Sequence, residues 1–142
     1  PAGRRGYGRG AVWEFDPRND TLRSLFVPAN TQQASNPDNI TLSPRGGVLL
    51  CEDNDGMAED AARGTRLIGL TARGTPYVFA RNNVMLDEAQ LRAAGKRVAP
   101  RDYRAGEFAG ACFDPRGRVL FVNIQRPGIT FAIWGPWSHG PL

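Results

Sequence analysis

"EFAGACFDPRGRVLFVNI", residues 107–124, consists of two short apolar runs joined by an Asp-Pro-Arg-Gly turn. Residues 38–53, "DNITLSPRGGVLLCED", repeat this design with a Ser-Pro-Arg-Gly turn. Short β-rich runs separated by proline and glycine predict a hairpin in each case. The two turns lie 71 residues apart, because Pro44 corresponds to Pro115. The chain therefore contains the same type of hairpin twice.

A second type of hairpin alternates with the first. The runs "GAVWEFDP" and "TLRSLFVP", within residues 10–28, resemble "TRLIGLT" and "PYVFAR", within residues 65–81. Two alternating hairpins suggest units of four antiparallel strands, in which an inner hairpin is followed by an outer one. Such units are blades of a β-propeller, where each small sheet packs against its neighbours. The sequence thus predicts an all-β fold of antiparallel four-stranded blades.

The predicted strands amount to about two blades within a single segment, residues 1–142, whereas a propeller needs at least about four to close. They comprise an outer hairpin (10–28), a full blade (39–81) and an inner hairpin plus one strand (107–135). We therefore expect the remaining blades to belong to a longer parent chain. A small β-sandwich is the alternative that needs no further strands. Only residues 86–94, "LDEAQLRAA", have the composition of a helix.

Composition limits the partners of the chain. No apolar run approaches the roughly 20 residues of a membrane helix, so we predict no transmembrane segment. The net charge of +4 would suit a polyanion, and Arg4, Arg5 and Arg9 resemble a short nucleic-acid-binding arm. No recognisable nucleic-acid module accompanies that arm, so we predict no nucleic-acid partner. Mild basicity also suits an enzyme that attracts phosphate esters.

The two cysteines, Cys51 and Cys112, each lie inside an apolar strand-like run. We expect both to be buried free thiols that act as small hydrophobic side chains, and a disulfide between them remains an alternative. The sequence has no Cys-x-x-Cys motif and one histidine, so it does not predict a zinc site.

Polar side chains gather where the two inner hairpins begin and end. The inner strand of each blade lines the propeller's central channel, so oxygen ligands from different blades could converge there. Oxygen-rich clusters suit calcium, and carboxylates also bind ferric iron. The candidates are Asp38, Asn39, Glu52, Asp53, Asp55, Glu107, Asn123 and Gln125.

Each candidate also has a simpler interpretation. Asp38 and Asn39 follow Pro37 and fit a turn at the start of a strand. Glu107 precedes a buried strand, where a carboxylate needs a partner. Residues 81–83, Arg-Asn-Asn, fit a solvated turn, and a phosphate clamp by Arg81 is the alternative. His139 lies in a Gly/Pro-rich tail, so we expect it to be exposed and inert.

Four stretches together resemble the C-terminal region of the PhoX-type alkaline phosphatases, over residues 10–137. They are "GAVWEFDP", "PDNITLSPRGGVLLCED", "RLIGLTARG…FARNNV" and "EFAGACFDPRGRVLFVNIQRPGITFAIWGPW". The resemblance implies a β-propeller phosphomonoesterase that is exported by the twin-arginine route and uses calcium together with iron. It also implies a periplasmic or extracellular location in a bacterium.

The resemblance further implies roles for residues in the matched motifs. Asp38, Glu52 and Glu107 are expected to bind metal or to support the ligands, and Asn39 and Arg81 to bind substrate. Clustered cations would offset the charge of the phosphoryl oxygens during hydrolysis of a phosphate monoester. We expect this chain alone to hydrolyse little. The alternative function is a non-catalytic propeller segment that binds sugars or proteins and whose carboxylates only cap strands.

Overall fold

The computed structural model describes residues 10–53 and 64–142, which form β-strands and one short α-helix. The strands of the first half are β1 (Val12–Asp16), β2 (Thr21–Phe26), β3 (Pro37–Leu42), β4 (Val48–Glu52), β5 (Arg66–Leu70) and β6 (Pro76–Arg81). The second half contains β7 (Met85–Leu86), α1 (Glu88–Ala93), β8 (Arg101–Asp102), β9 (Phe108–Phe113), β10 (Val119–Ile124) and β11 (Ile129–Trp134). A 3₁₀ turn follows at Trp137–His139.

The strands pair antiparallel into separate small sheets. β1 and β2 form a hairpin, β3 to β6 form a four-stranded meander in chain order, and β9 to β11 form a three-stranded meander. The short β7 and β8, which the sequence did not predict, pair with each other. The all-β antiparallel prediction is confirmed, and the expected blade of residues 39–81 corresponds to one continuous sheet. Among the described residues no sheet closes into a barrel, and the propeller itself stays a prediction.

The two Pro-Arg-Gly turns have the same hydrogen-bonding pattern. Gly46 N donates to Ser43 O at 2.9 Å, and Gly117 N donates to Asp114 O at 2.8 Å. Both glycines have positive φ, 91° and 62°, which only glycine adopts at little cost. The turns also touch, because Arg45 Nη1 donates to Gly117 O at 3.0 Å. The sequence repeat is therefore a structural repeat, and its two copies are in contact.

The two central strands of the four-stranded sheet, β4 and β5, are buried on both faces, since every one of their residues is buried. Successive side chains of a strand point to opposite faces, so β4 and β5 contribute side chains to two hydrophobic cores, one on each face of the sheet. One core joins this sheet to β9, β10 and the C-terminal tail through Leu49, Cys51, Leu67, Phe108, Leu120, Val122, Ile124, Trp137 and Leu142. The other joins it to the first hairpin through Val12, Phe26, Ala34, Val48, Leu50, Ile68 and Leu70. Three sheets therefore stack face to face.

The C-terminal tail closes one of these cores. The Trp137 ring lies 6.1 Å from the Phe79 ring and 5.4 Å from the Phe113 ring. Its Nε1 donates to Arg118 O at 2.8 Å, which satisfies the polar atom of a buried indole. Trp137 thereby ties the tail to the outer strand β6 of the neighbouring sheet.

The predicted helix is confirmed as α1. Asp87 is its N-cap and forms a capping box with Gln90, which satisfies backbone N–H groups at the helix start. Leu91 is its buried residue. In the described parts of the chain, no helix has the length and apolar character required to span a membrane.

The expectation that both thiols are buried is wrong for Cys112. Cys51 is buried and Cys112 is exposed, and both are free. Cys112 lies opposite Phe121 in the β9–β10 ladder, and Phe121 is itself 39 % exposed. This cross-strand pair faces solvent, so an apolar run alone does not show on which face of the sheet a cysteine lies.

Candidate functional site

The predicted site residues that the structure describes lie at one end of the stacked sheets. Neighbouring strands run antiparallel, so Pro37 at the start of β3 lies opposite Glu52 at the end of β4. In the same way Arg66 lies opposite Arg81. We call this end the polar edge; it comprises 37–39, 51–53, 65–66, 81–82, 106–108 and 123–125.

Asn39 connects the two inner strands at the polar edge. Its Nδ2 donates to Asp38 Oδ1 at 2.9 Å, and its Oδ1 accepts from Gly110 N at 3.2 Å. The first bond orients an exposed carboxylate, and the second joins β3 to β9 in the neighbouring sheet. Both ends of the Asn39 amide are thus used within the protein, and its expected role in binding substrate stays a prediction.

Asp38, near the start of β3, and Glu107, just before β9, both lie at the polar edge, although they are 69 positions apart in the sequence. Burial raises the pKa of the Cys51 thiol to about 11, and the carboxylates of Asp38 and Glu107 act on it in the same direction. Glu107 is held in place through its backbone, since its carbonyl oxygen accepts from Gln125 N at 2.9 Å. The expected roles of Asp38 and Glu107 as metal ligands stay predictions.

Glu52 is buried and its carboxylate accepts four hydrogen bonds. Oε1 accepts from Ser35 N at 2.7 Å and from Arg66 Nη2 at 2.6 Å. Oε2 accepts from Arg66 N at 3.0 Å and from Arg66 Nε at 2.9 Å. A metal ion at Glu52 would have to displace one of these donors. The geometry therefore gives Glu52 a structural role, and its expected role as a ligand stays a prediction.

Arg66, which the sequence analysis did not single out, completes this buried ion pair. Its Nη1 donates to Gln32 O and its Nη2 to Thr31 O, both at 2.6 Å. A buried charge is tolerated when it is paired and its donors are satisfied, as here. The sequence offers one signal for this ion pair: Arg66 begins one apolar run and Glu52 ends another.

Asn82 corrects the interpretation of residues 81–83 as a solvated turn. Its side chain is buried, its Nδ2 donates to Tyr103 O at 2.8 Å and to Gly106 O at 3.0 Å, and its Oδ1 accepts from Val84 N at 3.0 Å. Asn82 lies buried just after β6, where it supplies the donors that the carbonyl oxygens of Tyr103 and Gly106 need. Asn82 thereby fixes the backbone immediately before Glu107.

Arg81 and Asn123 are two further candidates at the polar edge. Arg81 is exposed at the end of β6, and β6 is separated from β3 by two intervening strands, or about 14 Å at roughly 4.8 Å per step. Asn123 is engaged within its own sheet, since Nδ2 donates to Ala109 O at 3.2 Å and Oδ1 accepts from Thr130 Oγ1 at 2.6 Å. The role of Arg81 in binding substrate stays a prediction.

The polar edge carries oxygen atoms of the kind that bind metal ions. Carboxylate and amide oxygens suit a hard cation such as calcium, which takes about six to eight oxygen ligands. Within residues 10–53 and 64–142, no three His, Cys, Asp or Glu side chains are grouped so that they could hold a metal ion. A complete site built on Asp38 and Glu107 would need ligands from elsewhere. Asp55, and the arginine arm at Arg4, Arg5 and Arg9, lie outside the described residues.

The remaining candidates, Asp53, Gln125 and His139, lie outside the strands. Asp53 lies just after β4, where its backbone N donates to Asn36 O at 3.2 Å. Gln125 contributes its backbone N–H to Glu107, as described above. His139 is exposed on the 3₁₀ turn, as expected.

Comparison with known proteins identifies a family. The family model for alkaline phosphatase PhoX matches residues 1–128 of the 142-residue chain. No curated protein and no solved structure matches the chain. The family match covers both copies of the repeated hairpin, the ion pair of Glu52 and Arg66, and the candidate residues Asp38 and Glu107. The chain therefore belongs to the PhoX family of alkaline phosphatases.

Proposed function

We propose that the chain is part of a metal-dependent phosphatase that hydrolyses phosphate monoesters, and that its stacked sheets are blades of a β-propeller. The observation that carries this proposal is the family match over residues 1–128. The contact between β3 and β9, strands of different sheets that begin beside Asp38 and Glu107, supports it, since Gly110 N donates to Asn39 Oδ1. A site at the junction of neighbouring sheets is the arrangement expected when inner strands surround a common centre.

In this proposal Asp38 and Glu107 hold the cation, calcium or iron, together with ligands from the rest of the parent protein. The cation would offset the charge of the phosphoryl oxygens and position the ester. Asn39 orients Asp38 by donating to its carboxylate. The ion pair of Glu52 and Arg66 fixes the ends of β4 and β5 next to these groups. Asn82 fixes the segment that leads to Glu107.

Exposed apolar side chains support further blades as partners of this segment. A groove of about 580 Å³ lies between the first hairpin and the four-stranded sheet, and Trp13, Phe15, Ile40 and Leu42 are among its lining residues. These four side chains are between 53 % and 69 % exposed. Contiguous apolar surface of this kind marks an interaction site. We propose that other parts of a parent propeller cover it, in a protein that acts in the periplasm or outside the cell.

Two observations favour the alternative of a non-catalytic binding segment. Glu52 is fully engaged with Arg66, and within the described residues no three candidate ligands are grouped around a metal. In that alternative the acids of the polar edge only join strands and sheets. It predicts that no metal is needed for any function of the full-length protein.

Hydrolysis of p-nitrophenyl phosphate by the purified full-length protein tests the proposal. The enzyme would be assayed as isolated, after removal of metals with a chelator, and after calcium or ferrous iron is returned. We expect activity that is lost with the metals and recovered with at least one of them. The isolated 142-residue chain should show little activity beside it. A folded, metal-replete full-length protein without activity would favour the binding segment.

A further inference from the structure

The peptide group between Gly106 and Glu107 is held by the neighbouring sheet. Gly106 O accepts from Thr65 Oγ1 at 2.6 Å and from Asn82 Nδ2 at 3.0 Å. Thr65 directly precedes β5 and Asn82 directly follows β6, so both donors belong to the end of the four-stranded sheet at the polar edge. A backbone carbonyl oxygen has two lone pairs, so these two hydrogen bonds use its full capacity as an acceptor.

The peptide group on the other side of Glu107 is held by its own sheet. The Glu107 carbonyl oxygen accepts from Gln125 N, which directly follows β10. The two peptide groups that flank the Glu107 Cα are thus fixed, one by the four-stranded sheet and one by the three-stranded sheet. Since peptide groups are planar, fixing both of them fixes the backbone dihedrals of Glu107 and the direction of its Cα–Cβ bond. The geometry therefore sets where the Glu107 side chain begins.

Close packing at Gly106 adds to these hydrogen bonds. A Cβ at Gly106 would lie 2.6 Å from Arg126 O and 2.9 Å from both Ile124 Cγ2 and Tyr103 O. Gly106 N also donates to Tyr103 O at 2.8 Å. The main chain before Glu107 is therefore enclosed by its neighbours and has little room to move.

Thr65 is itself firmly placed. Its side chain is fully buried, its backbone N–H donates to a carbonyl oxygen, and its own carbonyl oxygen accepts from Asn82 N at 2.8 Å. The next residue, Arg66, forms the buried ion pair with Glu52. Two adjacent residues thus hold two acids of the polar edge, since Arg66 binds the Glu52 carboxylate and Thr65 holds the main chain in front of Glu107.

We propose that Thr65 is a positioning residue for the cation site, and that its hydrogen bond to Gly106 O holds Glu107 where its carboxylate binds the metal ion. This inference rests on the proposed function, in which Glu107 is a metal ligand. Removing a group that orients a metal ligand typically costs about 10- to 100-fold in metal affinity. Thr65 acts through one peptide group, so we expect a change at the lower end of this range.

The metal affinity of full-length variants tests this inference. Valine has nearly the shape of threonine and lacks the hydroxyl, so Thr65→Val removes the hydrogen bond to Gly106 O. Equilibrium dialysis with mass spectrometry would give the dissociation constants of calcium and ferrous iron. We expect Thr65→Val to bind at least one of these metals about tenfold more weakly than the wild type. Thr65→Ser, which keeps the hydroxyl, should bind nearly as tightly as the wild type.

Thr71→Val is the matched control. Thr71 follows β5 at the opposite end of the strand, where its Oγ1 accepts from Thr75 N at 3.1 Å. This variant should leave both dissociation constants unchanged. A purely structural role of Thr65 would lower the stability of Thr65→Val in urea without changing the metal affinity of the folded protein.

The outcomes separate this inference from the proposed function. A wild type that binds neither metal would contradict both. Equal dissociation constants in a metal-binding wild type and a folded Thr65→Val variant would overturn the role of Thr65 alone. A loss of affinity that Thr65→Ser does not restore would overturn it too, because the hydroxyl would not be the cause. If Thr65→Val does not fold, Thr65→Cys, whose thiol is a weaker donor, should bind metal more weakly than the wild type, and equal binding would overturn the proposal.

Discussion

Glu52 and Arg66 form a buried ion pair in which the arginine donates three of the four hydrogen bonds that the carboxylate accepts. Ser35 N provides the fourth. The pair closes the ends of β4 and β5 at the polar edge, next to the backbone of Asp38 and Cys51. This contact explains an acid in a fully buried strand without any metal. It also gives Glu52 a structural role, which differs from the role in metal binding that we propose for Asp38 and Glu107.

Removing one charge of this pair should be costly. Glu52→Gln leaves the buried guanidinium of Arg66 without a counter-charge, and we expect a loss of about 3 to 5 kcal/mol in the free energy of unfolding. Urea unfolding followed by circular dichroism measures it. The control is Glu14→Gln, which breaks the exposed pair with Arg23 and should cost less than about 1 kcal/mol. Similar losses in both variants would show that burial does not matter here.

Asn82 should contribute more to stability than its neighbour Asn83. Asn82→Ala leaves the buried carbonyls of Tyr103 and Gly106 without the donor that Asn82 supplies, at a cost of about 2 to 3 kcal/mol. Asn83→Ala changes an exposed residue and should have an effect within about 0.5 kcal/mol. Denaturant titration of the two variants gives the comparison. Equal stability of both would contradict the hydrogen bonds described for Asn82.

Alkaline pH should destabilise the fold through Cys51. Burial raises the pKa of this thiol from its ordinary 9.0 to about 11 in the folded state. Between these values the unfolded chain loses the thiol proton while the folded chain keeps it, so the free energy of unfolding falls as pH rises. The loss contributed by Cys51 approaches about 2 to 3 kcal/mol above pH 11.

The Cys51→Ala variant isolates this contribution. Tyr77 also has a raised pKa because of burial, so both proteins should lose stability in strong alkali. Unfolding measured from pH 8 to 11 should show a shallower decline for Cys51→Ala than for the wild type. Parallel pH profiles would mean that the thiol does not titrate differently in the two states.

The contact between the two Pro-Arg-Gly turns predicts unequal costs for equivalent glycines. A Cβ at Gly117 would lie 2.8 Å from Pro44 Cγ, whereas a Cβ at Gly46 would meet nothing within 4 Å. Both positions have positive φ, so each alanine carries a backbone cost of about 1 to 2 kcal/mol. Gly117→Ala should therefore destabilise the protein more than Gly46→Ala in thermal unfolding. The reverse order would contradict the packing of one turn on the other.

The strands could be predicted from the sequence because their signal is local. Alternating apolar runs and the turns around Pro44 and Pro115 specify hairpins, and their repetition specifies that the two copies are equivalent. The exposure of Cys112 could not be predicted in this way, because it depends on which face of β9 meets the next sheet. The pairing of β7 with β8 could not be predicted either, since strands of two residues carry no periodic signal.

The sequence predicted the end of the sheets at which the candidate residues lie, and it did not predict their hydrogen-bond partners. The starts of the two inner hairpins do lie together, since Gly110 N donates to Asn39 Oδ1. The sequence could not show that Glu52 is paired with Arg66 or that Asn82 is buried, because both contacts depend on segments that approach only in three dimensions. Hydrogen-bond partners of buried polar groups are the part of a site that local patterns leave undetermined.

The central claim is that Asp38 and Glu107 hold a catalytic cation, and the metal content of full-length variants tests it most directly. Glu107→Gln and Asp38→Asn remove one charge each with little change in shape, and Glu88→Gln on the exposed face of α1 is the control. Bound calcium and iron would be counted by mass spectrometry after dialysis, beside hydrolysis of p-nitrophenyl phosphate. We expect at least one of the first two variants to lose metal and activity together while the control keeps both. Full metal content and full activity in both folded variants would contradict the claim.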